Sequence, residues 1–150
     1  MSGKFIDDIR YNLLRFISLF HQNFTPAFRI KNDKYNCTKN QIKAIMIIGK
    51  SGKISPTVLG KCMDMEKGSV TTLIYSLEEL NLVHREDDQE DRRKVLIQLT
   101  DEGLKYYLVL KNRFLNQIEE RFFNLSKDEI IEFNKSLQFV VEILEKVRDA

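Results

Sequence analysis

The residues of this chain best suited to chemistry are concentrated in one short segment, residues 82–100. Two short apolar runs flank a turn rich in charge, and the second run, Val95–Leu99, alternates with the period of a half-buried strand. The pattern predicts a β-hairpin whose tip carries Asp91, Arg92 and Arg93. The chemistry that these side chains offer is electrostatic, since two guanidinium groups at an exposed tip can pair with anions.

An arginine at such a tip can enter the minor groove of DNA, where narrow A·T-rich stretches concentrate negative potential. Asp91 would then orient one of the arginines through a bidentate pair. Arg85 and Lys94 are further candidates for this basic group or for phosphate contacts. The alternative is a charged turn that only keeps the hairpin in solution.

The segment just before the hairpin, residues 66–80, predicts a helix with an unusual polar face. Apolar residues fall on one side with a period of 3.6. Ordinary solvent-facing helices are rich in Lys and Glu, so a small, hydroxylated face needs another reason. Small side chains allow close approach to base edges, hydroxyls can bond to phosphates or bases, and Thr methyls can contact the thymine methyl. The candidate DNA-contacting residues of this helix are Lys67, Gly68, Ser69, Thr71, Thr72 and Tyr75.

The surrounding elements are predicted to be helical. In chain order we expect a first helix ending near Pro26, a loop at 29–37, and a second helix capped by Thr38 with Gln41 and ended by Gly49 and Gly52. A short helix from Ser55–Pro56 to about Cys62 and a turn at 63–65 lead to the helix and hairpin described above. A long helix from Thr100 to about Asn124 and a last helix capped by Ser126 with Glu129 complete the chain. The predicted fold class is mainly α with a small β-hairpin wing, a winged helix-turn-helix with long terminal helices.

Composition excludes several classes of function. The net charge is only +2 and the run Glu86–Asp91 is acidic, so any nucleic-acid surface must be local. The longest apolar run, Ala44–Ile48, is too short to cross a membrane, and the start has no secretory apolar region, so we expect a cytoplasmic protein without a membrane partner. Cys37 and Cys62 lack metal-ligand spacing. We expect no metal, no cofactor and no catalytic residue, because phosphate-loop and nucleophile motifs are missing.

At this point the residues resemble the MarR family of bacterial transcriptional regulators. Residues 91–103 resemble the family's D-x-R wing motif with the strand, Leu-Thr, acidic turn and glycine that follow it. Residues 67–74 and 80–85 resemble the start of its recognition helix and its first wing strand. Two positions depart from the family pattern. Glu66 stands where a Ser, Asn or Asp cap is usual, and Thr72 where a basic residue is common.

The resemblance implies a homodimer that binds double-stranded DNA at a pseudo-palindrome, with control in many members by a small phenolic or anionic effector or by oxidation. We expect one domain over 1–150, with a winged-helix DNA-binding lobe at about 38–100 and dimerisation helices at about 1–30 and 101–150. The two recognition helices would lie roughly 34 Å apart. Apolar residues of the terminal helices are candidates for the dimer interface, with packing in an internal helical core as the alternative for a share of them. They are Phe5, Ile6, Ile9, Phe122, Phe123, Ile130, Phe133, Phe139, Val140 and Ile143.

An effector pocket is expected where the first, second and long fifth helices meet. Phe16, Phe20, Phe24 and Tyr107 are its candidate lining residues, with plain core packing as the alternative. Two competing functions remain open from the sequence. One is a winged-helix protein-interaction module without DNA binding, suggested by the acidic run and Glu66. The other is a thiol-based redox switch through Cys37 or Cys62.

Overall fold

The computed structural model describes residues 2–24 and 33–150, so the predicted end of the first helix at Pro26 and the first part of the predicted 29–37 loop, residues 29–32, lie outside the described residues. These residues form two compact units, Met1–Leu115 and Asn116–Ala150. The elements in chain order are α1 (Gly3–Phe24), α2 (Lys39–Ser51), β1 (Lys53–Ile54), α3 (Pro56–Met63), α4 (Lys67–Glu79), β2 (Val83–Asp87), β3 (Val95–Leu99), α5 (Asp101–Phe122) and α6 (Lys127–Arg148).

The helix starts predicted from capping residues are confirmed. At α2, Thr38 Oγ1 accepts from the Gln41 backbone N–H at 3.2 Å, and Gln41 Oε1 accepts from the Thr38 N–H at 2.8 Å. The same reciprocal pair begins α6, with Ser126 and Glu129. Each pair satisfies backbone donors that the first helical turn leaves without partners. Ser55 likewise caps α3, which begins at Pro56.

The prediction that Gly49 ends the second helix is wrong. Gly49 lies inside α2, which continues to Ser51, and Gly52 provides the terminus with φ +78°. A Cβ on Gly49 would lie 2.4 Å from Cδ2 of Tyr107, so the missing side chain admits the tyrosine ring. Packing with a distant residue therefore explains a glycine that local signals assign to a helix end.

The predicted hairpin is confirmed and belongs to a three-stranded antiparallel sheet in the order β1-β3-β2. Val83 pairs with Leu99 and Asp87 with Val95, so residues 88–94 form the tip. β1 was not predicted from the sequence. It is only two residues long, too short to show an alternating pattern, and it pairs with β3 through Lys53 and Ile54.

The buried apolar residues of the described chain form a core between the sheet and the short helices. α4 contributes one face of four buried residues to it, and α2, β1, α3, Leu82, both hairpin strands and α5 supply the rest. The largest fully buried side chains among the described residues are Ile42, Ile45, Ile48, Leu59, Ile74, Leu77, Leu82 and Ile97. This core fixes which face of α4 is buried and therefore which face it exposes.

The terminal helices behave differently. α1 and α6 are 22 residues each, and none of their described residues is buried. α5 ends at Phe122, two residues before the predicted end. Among the described residues, the structure contains no helix that is both long enough and apolar enough to span a bilayer.

Candidate nucleic-acid interface

The exposed face of α4 is the one predicted from the sequence. Because Val70, Leu73, Ile74 and Leu77 point into the core, the other side of the helix remains accessible. All six candidate residues are exposed: Lys67, Gly68, Ser69, Thr71, Thr72 and Tyr75. The structure thus brings one cation, one glycine, three small hydroxyl residues and one aromatic ring together on one helix face.

The start of α4 lacks a side-chain cap. Glu66 has the extended backbone of an N-cap residue, with φ −72° and ψ 157°, yet its side chain makes no capping hydrogen bond. The N–H groups of a first helical turn that no cap satisfies are suited to a phosphate oxygen. Glu66, at the position where the family usually has a Ser, Asn or Asp cap, therefore leaves this helix end available to an anion.

The threonine hydroxyls of α4 already donate to their own helix. Thr71 Oγ1 donates to the Lys67 carbonyl at 2.9 Å, and Thr72 Oγ1 donates to the Gly68 carbonyl at 3.1 Å. A hydroxyl has one hydrogen, so each oxygen retains only acceptor capacity. At Tyr75, the hydrogen bond with the Glu79 carboxylate raises the pKa of the phenol.

The hairpin tip, residues 88–94, presents its arginines to solvent. Asp91 Oδ1 accepts from the backbone N–H of Arg93 at 3.1 Å and from its Nε at 3.3 Å. The carboxylate uses one oxygen for both contacts, so the bidentate pair expected from the sequence is corrected to a single-oxygen contact. The side chain of Arg93 is 92% exposed, which leaves its guanidinium free to meet a second anion.

The acidic residues of the tip shape the turn. Asp88 Oδ1 accepts from the Glu90 N–H at 3.0 Å, and the Asp88 N–H donates to the Lys94 carbonyl at 3.0 Å. Lys94 in turn donates its N–H to the Asp91 carbonyl at 2.9 Å. Acidic side chains here bind backbone donors, as is common for Asp in turns. The acidic run Glu86–Asp91, which counts against an extended nucleic-acid surface, thus has in part a structural role in the turn.

A contact that sequence analysis did not anticipate joins the wing to α4. Arg85 Nε on β2 donates to Glu78 Oε1 on α4 at 2.8 Å. Both side chains are partly exposed, so the pair has a modest energy but a defined geometry. Arg85 was expected to belong to the tip or to contact phosphate. That expectation stays a prediction, and the structure shows in addition that Arg85 lies where it can hold the wing in position against α4.

Sequence analysis also missed a polar cluster at the start of α5. The Glu102 carboxylate accepts from the Tyr35 hydroxyl, from Asn81 Nδ2 at 3.0 Å and from Lys34 Nζ at 3.3 Å. These hydrogen bonds lower the pKa of Glu102. The hydrogen bond between Tyr35 and Glu102 also raises the pKa of Tyr35 to about 12. The partners are separated by 21 to 68 positions in the sequence, so no local pattern could reveal them.

A second tyrosine–carboxylate pair adjoins the first. The Tyr106 hydroxyl donates to Asp33 Oδ2, and the rings of Tyr35 and Tyr106 lie 4.6 Å apart. Beside them is an open cavity of about 760 Å³. Its lining residues are Lys34, Tyr35, Asn81, Thr100, Asp101, Glu102, Lys105, Tyr106 and Val109.

The four predicted pocket residues do not share one environment. Phe16, Phe20 and Phe24 form a row along α1, with successive ring centroids 6.2 and 5.5 Å apart, and Phe24 continues to Phe114 at 6.3 Å. Tyr107, by contrast, is buried in the core against α2. None of the four lines the 760 Å³ cavity.

The two cysteines differ in exposure. Cys37 is half-buried, and desolvation raises the pKa of its thiol, which lowers the reactive thiolate fraction. Cys62 is exposed at the end of α3. In the described parts of the chain, no group of His, Cys, Asp and Glu side chains is arranged to hold a metal ion.

The candidate dimer residues are largely exposed apolar groups. On α1, Phe5, Ile6 and Ile9 are each more than half exposed, and on α6 Phe139 is 63% exposed. Within the second unit, the rings of Phe122 and Phe133 contact each other edge to face at 5.0 Å. The remaining candidates, all at least one-third exposed, are Phe123, Ile130, Val140 and Ile143.

Comparison with known proteins gives consistent results. The MarR family model matches residues 37–95. The chain is 32% identical over 108 residues to the HTH-type transcriptional regulator SarZ of Staphylococcus haemolyticus, covering 72% of each protein. It is 25% identical over 139 residues to the HTH-type transcriptional regulator MgrA of Staphylococcus aureus, covering 93% of this chain and 89% of that protein.

Solved structures share the fold. A MarR family protein from Bacillus stearothermophilus superposes with a TM-score of 0.78 at 18% identity, covering 97% of this chain and 99% of that one. Streptococcus pneumoniae FabT, solved in complex with DNA, superposes with a TM-score of 0.71 at 21% identity, covering 97% of this chain and 99% of that one. NadR, solved in complex with 4-hydroxyphenylacetate, superposes with a TM-score of 0.69 at 21% identity, covering 90% of this chain and 93% of that one.

Proposed function

This chain belongs to the MarR family of HTH-type transcriptional regulators, and we propose that it binds operator DNA as a homodimer, with α4 in the major groove and the wing in the adjacent minor groove. The observation that carries the proposal is geometric. A hydroxyl-rich helix face and an arginine tip are both exposed, and the Arg85–Glu78 pair ties the wing to the helix.

Each element has a distinct role in this proposal. The uncapped start of α4 and Lys67 contact phosphate, and Ser69, Thr71, Thr72 and Tyr75 face the base edges. Arg92, Arg93 and Lys94 at the tip meet the minor groove or its flanking phosphates, with Asp91 orienting Arg93. FabT, which shares this fold, was solved with DNA bound.

The protein is proposed to act by binding rather than catalysis, in the cytoplasm. A small phenolic or anionic effector is proposed to control it, as the complex of NadR with 4-hydroxyphenylacetate suggests by analogy. The 760 Å³ cavity is the better-formed candidate site, since Lys105 offers a cation to a carboxylate beside the ring of Tyr35, whereas Lys34 in the same lining is already paired with Glu102. The aromatic row Phe16, Phe20 and Phe24 is the second candidate.

Binding of a fluorescent duplex to Arg92→Ala and Arg93→Ala variants tests the proposal. We expect each variant to weaken binding about tenfold and to reduce the slope of log affinity against log salt by about 1, because each arginine displaces counterions from DNA. Lys135→Ala, which removes one exposed positive charge from α6, is the matched control and should retain wild-type affinity.

Unchanged affinity in both arginine variants would contradict the role of the wing. If the wild-type protein fails to bind even random duplex at low salt, the DNA-binding proposal is wrong and a protein-interaction module becomes the better explanation.

A further inference from the structure

The exposed face of α4 lacks the side chains that most often recognise single bases. The helix sequence Lys67–Glu79 contains no Arg, Asn or Gln. It therefore cannot form the bidentate Arg–guanine contact or the bidentate Asn–adenine or Gln–adenine contact. If α4 enters the major groove, base recognition must use hydroxyls, methyl groups and Lys67.

Thr71 and Thr72 are chemically restricted in what they can recognise. Their hydroxyl hydrogens bond to the Lys67 and Gly68 carbonyls at 2.9 and 3.1 Å, so each oxygen can accept but not donate. Each residue also carries a γ-methyl group, and both residues are exposed. Each side chain thus offers a base pair one acceptor and one methyl group.

Only one kind of base pair complements both groups. An A·T pair presents the adenine N6 amino donor and the thymine C5 methyl in the major groove. A G·C pair presents the cytosine N4 donor, which can satisfy the oxygen, but it has no methyl group to contact the threonine γ-methyl. We propose that Thr71 and Thr72 recognise A·T pairs in each half-site, chiefly by contact with thymine methyls. The proposal rests on the DNA-binding function proposed above and specifies its sequence preference.

Gly68, one turn before Thr72, supports a close approach to the bases. A Cβ at this position would meet nothing within 4 Å in the protein, and its φ is not in the left-handed region. Neither internal packing nor backbone conformation requires glycine there, although glycine lowers helix propensity. The close approach of DNA to the helix backbone would explain why glycine is present at position 68.

The experiment uses a duplex that the full-length protein selects from a random-sequence pool. Thymines of the selected half-site are replaced one at a time by uracil, which lacks only the C5 methyl. We expect the wild-type protein to lose about fourfold in affinity at one or two positions, the effect of one buried methyl group. Thr71→Ser or Thr72→Ser, which removes the protein methyl, should abolish the loss at its own position, whereas the corresponding Thr→Val variants should retain it.

The uracil substitution separates this contact from the wing, because the thymine methyl lies in the major groove and the arginine tip is proposed to occupy the minor groove. Arg92→Ala should therefore bind more weakly yet keep the same uracil effect. Equal affinity of the wild-type protein for thymine and uracil duplexes, or selection of G·C pairs at the contacted positions, would overturn the inference and leave DNA binding intact. Failure to enrich any duplex would instead refute the proposed function itself.

Discussion

At the scale of single residues, Gly68 lacks a side chain at the place where, in the proposed interface, the helix backbone would come close to DNA. It lies in the first turn of α4, is exposed, and has open space where a Cβ would be. Gly49, by contrast, is required by the ring of Tyr107. The two glycines look alike in the sequence, but the structure assigns one to internal packing and the other to the proposed interface.

This difference makes Gly68→Ala informative. We expect the variant to be more stable by up to about 1 kcal/mol, because alanine is a better helix former and meets no neighbour. We expect its DNA affinity to fall severalfold, because the new methyl group separates the helix from the bases. Chemical denaturation measures the first effect and fluorescence anisotropy the second. A variant that gains stability and keeps full affinity would show that no close contact occurs at this position.

At the scale of elements, the end of α4 and the start of α5 are joined through backbone atoms. Thr100 Oγ1 donates to the Asn81 carbonyl at 2.7 Å and accepts from the Gly103 N–H at 2.9 Å. The Thr100 N–H donates to the Leu82 carbonyl at 3.0 Å. A Cβ on Gly103 would lie 1.9 Å from the Leu82 oxygen, so the start of α5 can approach the segment between α4 and β2 this closely only with glycine.

Gly103→Ala is expected to destabilise the protein by about 2–4 kcal/mol, since the clash is with backbone and no side-chain rotation can relieve it. Thermal and chemical unfolding measure the loss, with Gly68→Ala as the control for the same substitution without a clash. Unchanged stability of Gly103→Ala would mean that the junction is far looser than its hydrogen bonds indicate.

The Glu102 cluster adds a second connection between the same elements. Glu102 bonds to Asn81, two residues after α4, and to Tyr35, which precedes α2. Because Tyr35, Asn81 and Glu102 also line the 760 Å³ cavity, a molecule bound there would contact the residues that fix the end of α4. This arrangement would give the proposed effector a short physical route to the helix that is proposed to contact DNA.

At the scale of the whole molecule, the terminal helices leave extensive apolar surface exposed. Neither α1 nor α6 has a buried residue, and each is about 33 Å long at 1.5 Å per residue. Exposed side chains on them include Phe5, Ile9 and Phe139. Apolar surface of this extent is typical of a subunit interface, which supports the proposed homodimer.

Phe139→Asp tests the interface. We expect the variant to shift toward monomer at micromolar concentration, because a desolvated carboxylate at an apolar contact is strongly unfavourable, and its affinity for a palindromic duplex should fall at least tenfold. Sedimentation velocity measures the mass. Gln138→Asp, which adds the same charge on the polar side of α6 by helical spacing, should remain dimeric. A wild-type protein that sediments as a monomer would contradict the proposal directly.

Local sequence patterns were sufficient to predict the helices, their capped starts and the hairpin. Capping boxes such as Thr38–Gln41 join residues three positions apart, and the apolar periods depend only on near neighbours. The exposed candidates on α4 followed from the same local periodicity, because burying one helix face decides which residues the other face presents.

Contacts between distant segments became visible only in the folded molecule. These are the strand β1, the position of Gly49 inside α2, the Arg85–Glu78 pair and the tyrosine–carboxylate cluster around Glu102. Each depends on where the folded core places residues that are separated along the chain, and a periodic pattern contains no information on such separations. The same reason explains why Tyr107, predicted to line a pocket, packs instead in the core beside a glycine of another helix.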